Sequence, residues 1–252
     1  LTVLRALEEE LPGEDFIYFG DTARLPYGSK SEDTILRYTF EDALFLLRKS
    51  AKFLVVACNS MSSVALPELQ RYFKIPIVGV IEPAARAAVQ ESSGAGIGII
   101  GTSATIRSRA YQRAVEELAP GMKTASAPCP LFVPLAEEGW QDQAPCSDIA
   151  EHYLSDLKSE GIDTLILGCT HYPLLRTVIS RVMGDSVALV DSALATATTV
   201  KSELKAKGLL RSTNSAGETC FFLSDFQEHF KEIASRILKR ELIKVQIAQA
   251  GD

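Results

Sequence analysis

The sequence predicts an α/β fold of parallel sheets flanked by helices. Short runs of Val, Ile, Leu and Phe recur along the chain, and most are followed by an amphipathic stretch of helical length. The apolar runs are nearly continuous rather than alternating, which is typical of strands buried on both faces. Parallel neighbours need a crossover helix between them, so this order of strands and helices predicts parallel sheets.

The predicted elements alternate along the chain. The opening segment LTVLRALEEELPG predicts a helix that Pro12 and Gly13 end, and without an initiator Met it is expected to follow an upstream segment. The predicted strands are DFIYFG, FLVVAC, PIVGVIE, IGIIGT, TLILGC, VALVDS and TCFFLS. The predicted helices cover residues 31–49, 60–73, 104–118, 147–160 and 226–239. The segment KTASAPCPLFVPLAEEGW contains three prolines and predicts a functional loop.

The composition limits the class of protein. The chain has 252 residues, of which 46% are hydrophobic, enough for one large core or two smaller ones. Its net charge of −6 and its scattered Lys and Arg residues disfavour a nucleic-acid-binding surface, which would be basic and clustered. Its apolar runs fall short of the roughly 18 residues that span a bilayer. We therefore expect no direct contact with nucleic acid or membrane.

The five cysteines are an odd number without a closely spaced pair. This pattern disfavours a secreted disulfide scaffold and predicts a cytoplasmic protein. The sequence contains no CxxC or HxxxH motif, and Cys129, Cys146 and His152 lack the spacing of a zinc site. No metal is expected.

Two of the cysteines share one local setting. Cys58 ends the predicted strand FLVVAC, Cys169 ends TLILGC, and a helical stretch follows each. This repetition fits two copies of a strand-Cys-helix unit that face each other across a cleft. Ligands gather at the carboxyl ends of parallel strands, so a polar cleft is predicted there. The other polar residues predicted at this edge are Asp21, Glu82, Thr102 and Asp191.

The sequence GIGIIG at residues 96–101 matches the G-x-G-x-x-G pattern in form only. In dinucleotide-binding folds these glycines lie in the turn after the strand, whereas here the isoleucines between them predict the strand itself. A dinucleotide site is therefore not expected. The following GTSAT turn opens a predicted helix, and it either binds a carboxylate or only caps that helix.

The position of the two thiols suggests a catalytic role, either as a nucleophile or in acid/base catalysis. Cys58 and Cys169 each precede a helix, and a helix N-terminus lowers the pKa of a thiol. His171 allows a hydrolase in which Cys169 is the nucleophile and Asp191 orients the imidazole. The other hypothesis uses both thiols, because inverting an amino-acid α-carbon needs a base on one face and an acid on the other. A pyridoxal enzyme would need a lysine in the cleft, and Lys52 lies at the opposite end of its strand, so no cofactor is expected.

Several motifs occur in the order found in one known family. They are YFGDTARLPYG, ACNS, IVGVIEPA, IGIIGTSATI, CPLFVPLAEEG, LILGCTHYPLL and VDSA, and the match extends to about residue 207. With them the chain resembles the glutamate racemases of the cofactor-independent aspartate/glutamate racemase superfamily. The resemblance implies racemisation of L-glutamate to D-glutamate for peptidoglycan by a two-cysteine acid/base mechanism. It also implies two pseudo-symmetric α/β domains, 1–82 with 194–252 and 83–193, and an active site in the cleft between them.

The resemblance also implies a role for individual residues. Cys58 would act on D-glutamate and Cys169 on L-glutamate, with His171 and Glu137 assisting Cys169. The residues expected to bind substrate by resemblance are Pro26, Tyr27, Gly28, Asn59, Ser60, Thr102, Thr105 and Thr170. Asp21 joins them because of its position at a strand end.

Some features depart from the family pattern. The family has an Asp-Ser-Gly-x-Gly-Gly stretch on its first strand, just before the LTV with which this sequence opens, and its Asp and Ser contact the substrate amine and support the first thiol. The sequence is therefore expected to be part of a longer protein. Ser60 stands where the family has Thr, and Met61 where it usually has Ala.

Other functions stay open at this stage. One is a related two-thiol racemase or isomerase for aspartate, although aspartate racemases typically have Glu where His171 stands. A second is an amidase that uses Cys169 alone, and a third is a non-catalytic protein that inhibits gyrase. The family also suggests a cell-wall precursor as activator and a homodimer as the assembly.

Overall fold

The computed structural model describes residues 1–212, 215–226, 228–241 and 244–250. Its strands are β1 (Phe16–Gly20), β2 (Leu54–Val56), β3 (Ile77–Gly79), β4 (Ile97–Gly101), β5 (Thr124–Pro128), β6 (Thr164–Gly168), β7 (Ala188–Asp191), β8 (Thr219–Leu223) and β9 (Val245–Ile247). Its helices are α1 (Thr2–Glu10), α2 (Glu32–Arg48), α3 (Asn59–Tyr72), α4 (Ile81–Glu91), α5 (Ser103–Ser108), α6 (Ala110–Leu118), α7 (Phe132–Glu137), α8 (Ala144–Ser159), α9 (Arg176–Met183), α10 (Ser192–Ala206) and α11 (Glu228–Leu238).

All strand pairs within the described ranges are parallel, which confirms the predicted α/β class. One sheet has the order β5-β4-β6-β7, a second has the order β1-β8-β9, and β2 pairs with β3. The strands of the first sheet all lie within 83–193, the range predicted for the second domain, although the division into domains stays a prediction. Because β4 and β6 are neighbours in register, with Gly101 opposite Gly168, their carboxyl ends bring Thr102 and Cys169 to one edge.

The two central strands of this sheet are buried on both faces. Every residue of β4 and β6 is buried, and neighbouring residues point into different cores. Ile99 and Ile166 pack with α4 and α6, whereas Leu165 and Leu167 pack with α8 and α9. A Cβ at Gly98 would lie 2.2 Å from Ile162 Cδ1, so this glycine serves close packing inside the strand. The prediction that the isoleucines of GIGIIG form the strand itself is confirmed.

The other strands form two separate groups. Strand β1 and strand β2 are not paired with each other, and a cavity of about 450 Å³ lies between them. Apolar side chains such as Leu7, Tyr18, Val55 and Leu204 contribute to its lining. The upstream strand expected from the family resemblance stays a prediction.

Two sequence predictions are wrong in detail. The segment 123–140, predicted to be a loop, contains β5 and α7. Among the described strands, β5 pairs only with β4. Small residues and a terminal proline are tolerated on such an edge strand, so β5 lacks the apolar run that marks a buried strand. The predicted helix 104–118 is divided at Arg109, whose φ of 53° is left-handed, into α5 and α6. None of the described helices has both the length and the apolar character needed to cross a membrane.

Candidate active site

Cys58 lies between β2 and α3, at the N-terminal end of the helix, as predicted. Burial raises the pKa of its thiol to about 11, because desolvation outweighs the hydrogen bonds from the Met61 and Ser60 amides. The charge of Cys169 acts in the same direction, so the two thiols lie within electrostatic reach of each other. The expected lowering of the Cys58 pKa is therefore wrong. At neutral pH Cys58 is a protonated thiol.

Cys169 follows β6 and has a charged neighbour. Its Sγ lies 3.7 Å from Nδ1 of His171, and Nε2 of His171 lies 3.2 Å from Oε1 of Glu137, at the end of α7. Burial disfavours the imidazolium, but the hydrogen bonds to Cys169 and Glu137 outweigh it and raise the His171 pKa to about 9. His171 is therefore a cation at neutral pH, and a cation beside sulfur stabilises the thiolate form.

Three hydroxyl groups meet between the thiol-bearing elements. Ser60 Oγ lies 2.9 Å from Thr102 Oγ1 and 3.4 Å from Thr105 Oγ1, and the two threonine oxygens are 3.2 Å apart. Thr102 also caps α5 by accepting from the Thr105 amide. The capping alternative for the GTSAT turn is therefore confirmed. Carboxylate binding stays a prediction, since capping leaves the hydroxyls gathered where a carboxylate could accept from them.

Asn59, the first residue of α3, is buried. Its Oδ1 accepts a hydrogen bond of 2.6 Å from the hydroxyl of Tyr111. Its Nδ2 is buried and has no hydrogen-bond partner within the described part of the chain. A buried donor without a partner costs about 1–3 kcal/mol, which a ligand with an oxygen acceptor would recover.

The segment Pro26-Tyr27-Gly28 reaches the hydroxyl cluster through its backbone. Gly28 O accepts from the Ala104 amide at 3.0 Å, and a Cβ on Gly28 would lie 2.6 Å from Thr102 Cβ. Glycine is required here because the chain passes so close to Thr102. Tyr27 is buried with Ala104, and Cys58 packs against the same cluster. This loop therefore lies beside the first thiol.

Asp21 holds this loop from inside the protein. Its Oδ2 accepts from Arg24 Nε at 2.6 Å and from the Tyr27 hydroxyl, and its Oδ1 accepts from Ser224 Oγ at 2.9 Å. Because both oxygens have protein partners, the structure supports a positioning role. Direct contact of Asp21 with substrate stays a prediction.

Arg24 connects the loop to α2, and its replacement by lysine is expected to weaken substrate binding. The guanidinium also bonds Asp42 at 2.7 Å and Glu41, and it lies 4.1 Å from the centre of the Tyr38 ring. Lysine has a single ammonium group and cannot reproduce the set of guanidinium donors that binds the three carboxylates. We expect KM to rise about tenfold and the free energy of unfolding to fall by about 2 kcal/mol.

Steady-state kinetics and thermal unfolding would measure both effects of Arg24→Lys. Arg71→Lys is the matched control, because Arg71 is 79% exposed and pairs only with Glu68 in the described contacts. An unchanged KM in Arg24→Lys would show that the network does not position the loop.

Two predicted strand-end residues lie outside this group. Glu82 is in the first turn of α4 and pairs with Arg86. Asp191 caps α10 by accepting from the Ala193 amide at 3.0 Å. The hypothesis that Asp191 orients His171 is therefore wrong, because Glu137 is the carboxylate in contact with the imidazole. Thr170 is half-buried next to Cys169, and its carbonyl accepts from the Thr2 hydroxyl at 3.2 Å.

Sequence reasoning missed Arg24 and Tyr111. The i,i+3 spacing of Asp21 and Arg24 is a signal that could have identified the first of them. Tyr111 has the apolar spacing of an ordinary core residue in its helix, so the sequence offers no local signal. Among the described residues, no group of three or more His, Cys, Asp or Glu side chains could hold a metal ion.

Comparison with known proteins finds related sequences along most of the chain. The profile of the Asp/Glu/hydantoin racemase family matches residues 2–200. A glutamate racemase of Geobacter metallireducens is 49% identical over 242 residues, which are 96% of this chain and 90% of that protein. These matches include the segments that carry both thiols.

Solved structures agree with this comparison. A glutamate racemase from Bacillus anthracis has a TM-score of 0.95 at 38% identity, over 99% of this chain and 93% of that one. A glutamate racemase from Francisella tularensis, solved in complex with D-glutamate, has a TM-score of 0.92 at 34% identity, again over 99% and 93% of the two chains. The similarity of fold therefore extends over nearly the full length of both.

Proposed function

We propose that this chain, which belongs to the Asp/Glu/hydantoin racemase family, interconverts L- and D-glutamate by proton transfer at two thiols. Glutamate racemisation is the activity for which its relatives are named. The observation that carries the mechanism is the pairing of unlike thiols: Cys58 is protonated by burial, and Cys169 lies beside a cationic imidazole.

The difference between the thiols suits the reaction from L-glutamate. The Cys169 thiolate removes the α-proton, the electron pair of the broken C–H bond passes to the α-carbon and its carboxylate, and the Cys58 thiol delivers a proton to the opposite face. In the reverse direction the thiols exchange roles. His171 stabilises the charge on Cys169, and Glu137 holds the imidazolium in place.

The polar groups between the thiols would bind and orient the substrate. Asn59 Nδ2 would donate to the α-carboxylate, and the Ser60 hydroxyl would contact the amino group. The hydroxyls of Thr102 and Thr105 would bind a carboxylate, and Gly28 would contribute backbone contacts. Thr170 and Pro26 would complete the lining of the substrate cleft.

The expected result is racemisation of glutamate by protein that has been dialysed against a chelator and shows no pyridoxal absorbance. Conversion is measured as the decay of optical rotation of L-glutamate and as formation of D-glutamate. Activity that disappears on dialysis and returns with pyridoxal phosphate or a metal would contradict the proposal.

Substrate choice separates the rival functions. Buried donors left unmatched penalise a substrate without a side-chain carboxylate, so kcat/KM for glutamate should exceed that for alanine by about 10³-fold or more. Comparable kcat/KM for aspartate would favour an aspartate racemase. A burst of amide hydrolysis that needs Cys169 but not Cys58 would favour the amidase.

The cellular role follows from the product. We propose a cytoplasmic enzyme that supplies D-glutamate for peptidoglycan. A cell-wall precursor as activator, a homodimer and inhibition of gyrase stay predictions from the family resemblance.

A further inference from the structure

Tyr111 connects the two halves of the site. It lies on α6 and is 1% exposed. Its hydroxyl donates to Asn59, the residue after Cys58. Its ring lies against Gly168, the residue before Cys169, where a Cβ would come within 3.1 Å of Tyr111 Cε2. One side chain thus touches the neighbours of both thiols.

The hydroxyl of Tyr111 determines which end of the Asn59 amide is left for a ligand. Burial and the charge of Cys169 raise the Tyr111 pKa, so the hydroxyl stays protonated and can donate. The carbonyl end of the amide accepts that proton, which leaves Nδ2 as the end without a protein partner in the described structure. Phenylalanine in place of Tyr111 would have no hydroxyl to donate. Neither end of the Asn59 amide would then be favoured on the side that faces residue 111.

We propose that Tyr111 is a positioning residue that orients the Asn59 amide, so that a donor rather than an acceptor faces the substrate α-carboxylate. The inference rests on the proposed function, because it assigns the ligand of Nδ2 as the carboxylate of an amino acid. Tyr111 itself does not touch the reacting atoms. Its effect on substrate binding passes through Asn59. Removing Asn59 therefore distinguishes this role from a purely structural one.

The test is a double-mutant cycle in the full chain with L-glutamate as the probe. Tyr111→Phe should raise KM about tenfold and change kcat less than about threefold, because the α-carboxylate is bound in both ground and transition states. In the Asn59→Ala background the same change should alter KM less than about twofold. Tyr153→Phe is the control, since Tyr153 is half-buried on α8 and its hydroxyl contacts only the Leu131 amide among the described hydrogen bonds.

If Tyr111→Phe raises KM by the same factor in the wild-type and Asn59→Ala backgrounds, the inference is overturned, because the hydroxyl then does not act through Asn59. Asn59→Asp gives an independent test that does not need Tyr111→Phe to fold. It keeps an oxygen for the Tyr111 hydroxyl but replaces the donor by an acceptor, and KM should rise at least about tenfold. An unchanged KM in Asn59→Asp would refute the orientation. Failure of the wild-type protein to racemise glutamate would instead refute the proposed function.

Discussion

Replacing either Cys58 or Cys169 by serine is expected to lower racemisation of glutamate by about 10³-fold or more. Inversion needs a base on one face and an acid on the other, and a serine hydroxyl is far too weak an acid to be ionised near neutral pH. The serine can still donate a proton or a hydrogen bond. Each variant should therefore lose one half-reaction and keep the other.

The retained half-reaction shows which face each thiol serves. An analogue with a leaving group on the β-carbon, such as 3-chloroglutamate, loses HCl after deprotonation alone, and hydrolysis of the product releases ammonia and 2-oxoglutarate. Cys58→Ser should keep elimination from the L-enantiomer and lose it from the D-enantiomer. Cys169→Ser should do the reverse. Release of 2-oxoglutarate measures both.

The control for the thiol substitutions is Cys220→Ser, because Cys220 is exposed on β8 and distant in sequence from both sites. It should retain wild-type racemisation. If Cys58→Ser or Cys169→Ser racemises glutamate at near the wild-type rate, the two-thiol mechanism is wrong. Loss of the same enantiomer in both variants would contradict the assignment of opposite faces.

Replacing His171 by asparagine is expected to slow elimination from the L-enantiomer by about 10²-fold at neutral pH. The His171 pKa of about 9 keeps the imidazole charged below that pH, and its loss removes the cation that stabilises the Cys169 thiolate. Elimination from the D-enantiomer, which uses Cys58 as base, should change much less. In racemisation kcat/KM must fall by the same factor in both directions, because the enantiomers have equal free energy in solution.

The pH dependence distinguishes this role from a loss of structure. Titration of His171 near pH 9 should give the wild type a step in the pH profile of L-elimination, and His171→Asn should lack that step. Glu137→Gln should move the step to lower pH, since the Glu137 carboxylate raises the His171 pKa. His152→Asn, at an exposed histidine of α8, is the matched control. An unshifted pH profile, or equal losses for both enantiomers, would contradict the assigned role of His171.

The sequence by itself determined the fold class and the position of both thiols along it. Continuous apolar runs such as IGIIG and TLILG are typical of strands buried on both faces, and both strands are buried throughout. This pattern involves only neighbouring residues, so the sequence alone shows it. The strand-Cys-helix order placed Cys58 and Cys169 at strand ends for the same reason. The family motifs then indicated glutamate racemisation.

Only the tertiary structure decided how the polar groups are paired and charged. The choice of Glu137 over Asp191 as the partner of His171 depends on where α7 packs, and α7 lies in a segment whose weak pattern predicted a loop. The raised pKa of Cys58 depends on burial by the rest of the protein, which outweighs the helix N-terminus that the sequence shows. The contact between Tyr111 and Asn59 likewise joins residues 52 positions apart. Desolvation and long-range contacts depend on packing in three dimensions, and no local pattern encodes them.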